Sequence, residues 1–333
     1  MSRSGRGRLD RDMDLSVFFA GTGGSAPTAR RGLPAILVRR GGDRLLFDCG
    51  EGTQRQLLSS VGLADITEVF LTHFHADHWL GLPGMLKTFD LRDRERPLTV
   101  YGPPGLRVLL TAMLRLAGRV RYELTMVELE PGDEVRGDGY RIAPVEALHH
   151  GPALAYVLYE DERPGEFDRE LAERLGLQFG PEFGRVARGE TIRGITREQV
   201  MGPPRPGRKL VFSGDTRPCE SIRIAAHRAD LLVHEATFAD EEAERAAANG
   251  HSTAVQAATI ARDAEVTLLA LNHISTRHPP SVIRDEARAV HANTIVPRDF
   301  DTIEIPFAER GTPQLLKWGD SPERAAVAQS PAA

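Results

Sequence analysis

The chain has 333 residues, a formal net charge of −5 and 41% apolar residues, which suits a soluble globular protein with one large core or two modest ones. The acidic balance argues against a general nucleic-acid coat protein, although local arginine clusters and bound cations can still make a positive cleft. No apolar run reaches membrane-spanning length, and the two cysteines, Cys49 and Cys219, lie far apart and make no disulfide framework, which fits a reducing cytoplasm. In chain order, residues 1–13 are polar and Arg-rich, lack the apolar core of a secretion signal, and read as a disordered tail. Strands are expected at 15–20, 34–39, 44–48 and 68–72, with a Gly-rich loop at Gly21–Thr28 and helices at 53–60 and 79–90. Strands at 98–101 and 122–128 flank a helix at 105–117, and strands at 139–148 and 153–159 follow. After a Gly/Pro-punctuated stretch, strands at 209–213, 230–234, 266–272 and 301–306 are interleaved with helices at 218–227, 253–263 and 280–291. Residues 321–333 read as a second disordered tail. Short strands in a meander followed by strands alternating with helices indicate an α/β sandwich.

The run Leu71-Thr72-His73-Phe74-His75-Ala76-Asp77-His78 places three histidines and an aspartate within six positions, directly after an apolar strand. Alternation puts His73 and His75 on one side of an extended segment, and Asp77 and His78 follow in the turn beyond it. Imidazoles with some carboxylate suit zinc, and this spacing can serve two neighbouring ions. Three isolated polar groups downstream answer it. Arg141–Leu148 stops at His149-His150, Lys209–Phe212 stops just before Asp215, and Val266–Leu271 stops at Asn272-His273. Singly each is a common turn former; in open α/β sheets strand ends converge on the ligand site, and three in order mark one centre.

HxHxDH followed by His, Asp and His resembles the metallo-β-lactamase superfamily. Further runs narrow the resemblance to the ribonuclease Z family of tRNA 3′-processing endonucleases: Gly21–Thr28, Phe47–Gln56, Gly81-Leu82-Pro83-Gly84, Pro203–Lys209, His234-Glu235-Ala236-Thr237-Phe238 and His251-Ser252-Thr253. The likeness covers roughly residues 14–308, and Trp79 stands where a smaller or aliphatic residue is usual. It implies an αβ/βα four-layer sandwich over residues 14–320, two zinc ions per chain, a precursor tRNA substrate and a cytoplasmic homodimer. His73, His75 and His149 are then expected on one zinc, and Asp77, His78 and His273 on the other. Asp215 bridges, because a carboxylate offers two oxygens. The family's count of seven residues to the position of Tyr156 selects His149 over the adjacent His150.

His251, outside the ligand set and just ahead of a helix, is the expected proton donor to the leaving 3′ oxygen, with Glu235 to hold it charged and oriented. Asp77 is expected to help position the attacking water. His234 reads as a packing residue. Asp48 reads as a buttress accepting an imidazole N–H, the Gly21–Thr28 amides as a possible approach to RNA phosphates, and Arg277 as a phosphate clamp.

The stretch 160–208 has a weak hydrophobic pattern outside Leu171–Leu177. Eight acids and three arginines precede residue 183, and six arginines with two acids follow it to Arg208. A segment of this length without structure of its own is unusual unless functional, and it resembles the flexible tRNA-gripping arm of the family. The implied activity is a zinc-dependent endoribonuclease removing the 3′ trailer from precursor tRNA, leaving a 3′-hydroxyl on the tRNA and a 5′-phosphate on the trailer. The alternatives are a small-molecule phosphodiesterase or arylsulfatase of the same superfamily, which would not need the arm, and a catalytically idle RNA-binding protein, against which the full ligand set argues.

Overall fold

Side chains of the first strand, β1 (Leu15–Gly21), alternate between two cores: Val17 and Phe19 enter one, Phe18 and Ala20 another. A strand buried on both faces belongs to an inner layer of a stack, and the computed structural model, which describes residues 14–63 and 66–324, shows that stack. One sheet joins β1 to β2 (Ala35–Arg40), β3 (Asp43–Phe47), β4 (Glu68–Phe70), β5 (Leu98–Gly102) and β6 (Leu124–Glu128), with β14 (Thr302–Glu304) and β15 (Gln314–Leu316) on the far side of β1. The other runs from β7 (Val135–Gly137) through β8 (Tyr140–Glu146), β9 (Leu154–Glu160), β10 (Lys209–Phe212), β11 (Leu231–Glu235) and β12 (Leu268–Asn272) to β13 (Thr294–Ile295). From β3 to β6, and from β10 to β13, neighbours are parallel, so their carboxyl ends share an edge in each sheet.

The space between the sheets is filled from both sides. Phe47 of the first stacks on Phe212 of the second with ring centroids 4.3 Å apart, and Phe70 and Tyr156 close around them. Helices α1 (Thr53–Leu58), α3 (Leu82–Leu91) and α4 (Leu106–Ala117) cover the outer face of the first sheet, and α8 (Glu220–Ala225), α10 (Ala254–Asp263) and α11 (Pro280–Val290) that of the second. This is the expected αβ/βα sandwich.

The expected helix 79–90 is two helices, α2 (Ala76–Trp79) and α3. The backbone of Cys49 interrupts them, donating to the His78 carbonyl (2.7 Å) and accepting from Gly81 N–H (2.9 Å). Strands β7, β13 and β15 and helix α9 (Ala243–Asn249) were not anticipated; two or three residues at a sheet edge leave no apolar period to read. Of the expected tails, residues 1–13 and 325–333 lie outside the described residues. Ser321 is buried and Glu323 pairs with Arg39.

The stretch between β9 and β10 is folded, with α5 (Arg169–Arg174), α6 (Pro181–Ala187) and α7 (Arg197–Val200) around a small core of Ala172, Leu177, Phe183, Val186, Ile192, Ile195 and Val200. Those apolar residues are too scattered along the chain to show as a period. Its base is clamped. Glu160, buried, accepts from Arg40 (2.7 Å) and Arg208 (2.6 Å), both also buried, and Arg163 and Arg205 pair as a bridge and share Glu309.

Candidate metal centre

Loops at the carboxyl ends of strands in both sheets bring the seven expected ligands together. His73 and His75 follow β4 in an extended stretch, and Asp77 and His78 lie on α2 rather than in a turn. Tyr156 Oη donates to the Leu71 carbonyl (2.8 Å) and Leu154 N–H to that of Thr72 (2.9 Å), so the second sheet fixes the approach to the motif. The His149 turn is tied to the Asp215 turn by Leu148 N–H on Thr216 Oγ1 (3.1 Å) and Arg217 N–H on the Leu148 carbonyl (2.8 Å).

Ligand atoms of His73, His75, His149 and Asp215 lie within 4.8 Å of one another, as do those of Asp77, His78 and His273. Asp215 Oδ2 stands between the groups, 3.7 Å from His73 Nε2 and 3.3 Å from both His78 Nε2 and His273 Nε2. His150 is exposed and outside the cluster, its ring 5.5 Å from that of His149.

The outer nitrogen of each imidazole shows how the inner one is prepared. His149 Nδ1–H donates to the Gly250 carbonyl (2.8 Å) and His78 Nδ1–H to Asp48 Oδ2 (2.8 Å), the expected buttress. The Thr72 hydroxyl gives its proton to Asp48 and accepts from His73 Nδ1 (3.0 Å). Likewise Thr237 Oγ1 donates to Glu235 Oε2 (2.6 Å) and accepts from His273 Nδ1 (2.8 Å). The Nε2 atoms of His73, His78 and His273 thereby face inward, while His149 Nε2 lies 3.0 Å from His75 Nδ1. His73 Nε2, His78 Nε2 and Asp215 Oδ1 are buried with no hydrogen-bond partner. Orphaned buried donors and acceptors are costly, and here all are of zinc-ligating type and converge, so the residues fit two metal ions. Burial pushes the His73, His75 and His149 pKa values down, favouring the neutral form that binds metal. Two non-glycine residues here, Asp48 (φ 59°) and His273 (φ 56°), adopt left-handed backbone, strain of the kind that collects at working sites.

Two glycines make room. A Cβ on Gly24 would lie 2.4 Å from His273 Nδ1, and one on Gly250, already at φ 78°, 2.8 Å from His149 Nδ1. The loop around Gly24 is not a phosphate cradle. The amides of Gly23, Gly24, Ala26 and Thr28 donate to backbone carbonyls, and Ser25 N–H holds Asp77 Oδ2 at 2.8 Å. It buttresses the candidate ligands Asp77 and His273.

His251 stands beside the ligand set. Its Nδ1 is 2.8 Å from Glu235 Oε1 and 3.8 Å from Asp215 Oδ2. Burial works against charge on the ring, but the Glu235 and Asp215 carboxylates outweigh it and raise the pKa to about 9. Glu235 is itself fully engaged, accepting from Thr216 N–H (3.0 Å) and from both the N–H and hydroxyl of Thr237. His234 is completely buried on β11 and stands apart from both ligand groups. Arg277 is committed elsewhere, its guanidinium bidentate on Glu242, which also holds His278 Nε2 (2.6 Å). Sequence reasoning missed Thr72 and Thr237; their signal, a threonine beside a ligand or two past a strand-end acid, is visible only once a partner ring is placed.

The profile of the metallo-beta-lactamase superfamily matches residues 31–163. Ribonuclease Z of Methanosarcina acetivorans is 44% identical over 302 residues, covering 88% of this chain and 99% of the relative. That of Haloferax volcanii is 45% identical over 307 residues, covering 89% and 97%. Among solved structures, the short form of human tRNase Z superposes with a TM-score of 0.65 at 27% identity, covering 87% of this chain and 99% of that one. The Bacillus subtilis protein YhfI, at TM-score 0.66 and 18% identity over 88% of this chain and all of that one, shares the fold. At such identity over nearly the whole of both partners, the chain belongs to the ribonuclease Z family.

Proposed function

We propose that the protein is a two-zinc endoribonuclease that removes the 3′ trailer from precursor tRNA, leaving a 3′-hydroxyl on the tRNA and a 5′-phosphate on the trailer. The observation that carries this is a seven-residue ligand centre with a His251–Glu235 pair beside it, the His251 ring also lying within 4.8 Å of ligand atoms of Asp215 and His273. Bound by His73, His75, His149, Asp77, His78, His273 and Asp215, two zinc ions supply Lewis acidity that offsets phosphate charge and makes water nucleophilic near neutral pH. His251 protonates the 3′ oxygen as its bond to phosphorus breaks, and Glu235 keeps the ring charged and turned toward it. Asp77, its Oδ2 fixed by Ser25 N–H, helps position the attacking water.

The folded segment between Glu160 and Arg208 serves as the arm that grips the tRNA body, a role no small ester requires. Within it Arg185 and Arg193 are spent on Glu190 and Glu182, whereas Arg188 and Arg197 make no ion pair among the described residues and offer phosphate contacts. Leu91, Val108 and Leu116, exposed on α3 and α4, support a homodimer. The two free cysteines support a cytoplasmic setting, and no helix of the described residues is long and apolar enough to cross a membrane. Incubating purified protein with end-labelled precursor tRNA, with and without chelator, and mapping both new ends tests the reading. A 3′-phosphate on the tRNA, or chelator-resistant cleavage, overturns it.

A further inference from the structure

The arm leaves the body through a narrow stem. Its two strands, residues 160–167 and 201–208, are laced by Arg163 N–H on the Arg205 carbonyl (2.8 Å) and the reverse bond (2.9 Å). Gly202 N–H on the Glu166 carbonyl (2.7 Å) and Asp168 N–H on that of Val200 (2.7 Å) carry the lacing outward. The two backbones touch: a Cβ on Gly165 would lie 2.0 Å from the Gly202 carbonyl oxygen, and one on Gly207 2.4 Å from that of Glu160. The apolar core of the arm lies wholly within residues 167–200. Among the described residues, no hydrogen bond or ion pair joins residues 164–204 to anything outside the stem and the arm itself. The angle at which the arm stands is therefore decided where the stem meets the body.

What meets it there is a socket from the other sheet. The stem continues β9 and β10 of the second sheet, whereas Phe307 and Glu309 follow β14 of the first. Phe307 is buried, yet it belongs to none of the apolar clusters among the described residues. Guanidinium groups cover its ring instead, with Arg163 Cζ 3.4 Å and Arg208 Cζ 4.0 Å from the centroid. Two such groups at contact distance cannot share a face, so the ring is gripped on both by cation–π contacts. Glu309, two residues on, takes Arg163 with both oxygens (2.8 and 3.0 Å) and Arg205 at 3.3 Å. Arginines from both stem strands thus end on one short turn of the body.

Resting on the reading of the arm as the tRNA grip, we propose that Glu309 and Phe307 are positioning residues for precursor cleavage. They latch the stem at one angle, so that a tRNA body held by the arm meets the metal centre in register. Strand β10 runs from the stem at Lys209 toward Asp215, which places the stem and the ligand group at opposite ends of one strand. A small tilt at the stem therefore becomes a large displacement where the tRNA is held. Glu309 is 38% exposed, and an exposed ion pair contributes little to folding, which suits a group that sets an angle rather than one that holds the fold together.

The test measures the angle directly. Spin labels at Gln178→Cys on the arm and Ala289→Cys on α11, both exposed positions, are placed in a Cys219→Ser background and diluted with unlabelled protein. The otherwise wild-type chain should give one narrow distance. Glu309→Ala and Phe307→Leu should each broaden it, and Glu309→Gln, which keeps one accepting oxygen, should lie between. All three should retain zinc and small-diester hydrolysis. On precursor tRNA, Glu309→Ala should raise KM by about 3- to 10-fold, the scale of a partly exposed ion pair with its ring contact, at little change in kcat, and Glu309→Gln should recover part of the loss. A distance that stays narrow in both Glu309→Ala and Phe307→Leu overturns the latch. A broadened distance with unchanged KM, or an equal loss on the small diester, overturns the positioning role. If wild type cuts no precursor while Glu309→Ala still broadens the distance, the proposed function fails and the latch itself stands.

Discussion

Glu235→Gln removes the charge that holds His251 protonated and keeps a side chain of the same size. In the structure the pair is 2.8 Å apart, both groups are largely buried, and the imidazole pKa rises from 6.5 to about 9. That rise, achieved against the cost of burial, is worth roughly 3 kcal/mol in favour of the imidazolium. A proton donor must be protonated to act, and a raised pKa keeps it so up to higher pH; activity is therefore present below the folded-state pKa and lost as pH rises through it. Two bound divalent cations draw that pKa down, so the alkaline limb of kcat/KM lies below 9 in the loaded enzyme. Glu235→Gln moves it about two pH units lower, toward the ordinary imidazole range. At pH 8 the variant should lose roughly 10- to 30-fold on precursor tRNA, and at pH 6 it should approach wild type. A nitrophenyl phosphodiester, whose leaving group needs no proton, should lose much less at either pH. Because Glu235 also accepts from Thr216 and Thr237, zinc content must be measured alongside. A limb that stays in place with both metals retained, or equal losses on the two substrates, refutes the donor assignment.

Elemental analysis should give two zinc ions per chain in wild type and fewer in Asp215→Ala; His149→Ala should lose metal, and His150→Ala should not, given the exposed position of His150. Replacing residues 164–204 by a two- to four-residue Gly/Ser turn is geometrically mild, because Arg163 and Arg205 already pair as a bridge; small-diester hydrolysis should continue while precursor tRNA cleavage falls by lost binding, and normal KM for the tRNA would count against the arm. Within the arm, Arg188→Ala should weaken tRNA binding in a salt-dependent way, whereas Arg185→Ala should act by loosening the fold, visible as faster proteolysis of the arm. Glu160→Ala leaves Arg40 and Arg208 buried without their carboxylate and should cost about 3–5 kcal/mol, read as a lower midpoint in denaturant; a midpoint unchanged from wild type would mean that water reaches the two guanidinium groups.

The candidate metal ligands were legible because they sit at the ends of apolar runs, and parallel strands in register bring such ends to one edge whatever the loops between them do. Leu210, Val211 and Phe212 pair with Leu231, Leu232 and Val233, so Asp215 and Glu235, a few residues past these pairs, must arrive together. The arm was misjudged for the converse reason. Its core is drawn from Ala172, Leu177, Phe183, Val186, Ile192, Ile195 and Val200, spaced by three helices of four to seven residues, and no window of regular period contains enough of them. Arg277 was read as a phosphate clamp from its distance past His273, but spacing along one loop says nothing about Glu242 on another segment, and that carboxylate holds it.

The centre is also a joint between the sheets. His73, His75, Asp77 and His78 follow a strand of the first; His149, Asp215 and His273 follow strands of the second; each proposed zinc therefore takes ligands from both. The outer hydrogen bonds link these candidate ligands to the proposed catalytic pair. The Thr237 hydroxyl accepts from His273 and donates to Glu235, so one side chain sets the orientation of a metal ligand and of the carboxylate that charges His251. Thr72 plays the matching part on the first sheet, between His73 and Asp48, with Asp48 holding His78 in turn. A change in either threonine therefore reaches a candidate metal ligand and a second group together, and so does a change at Glu235, which shares Thr237 with His273.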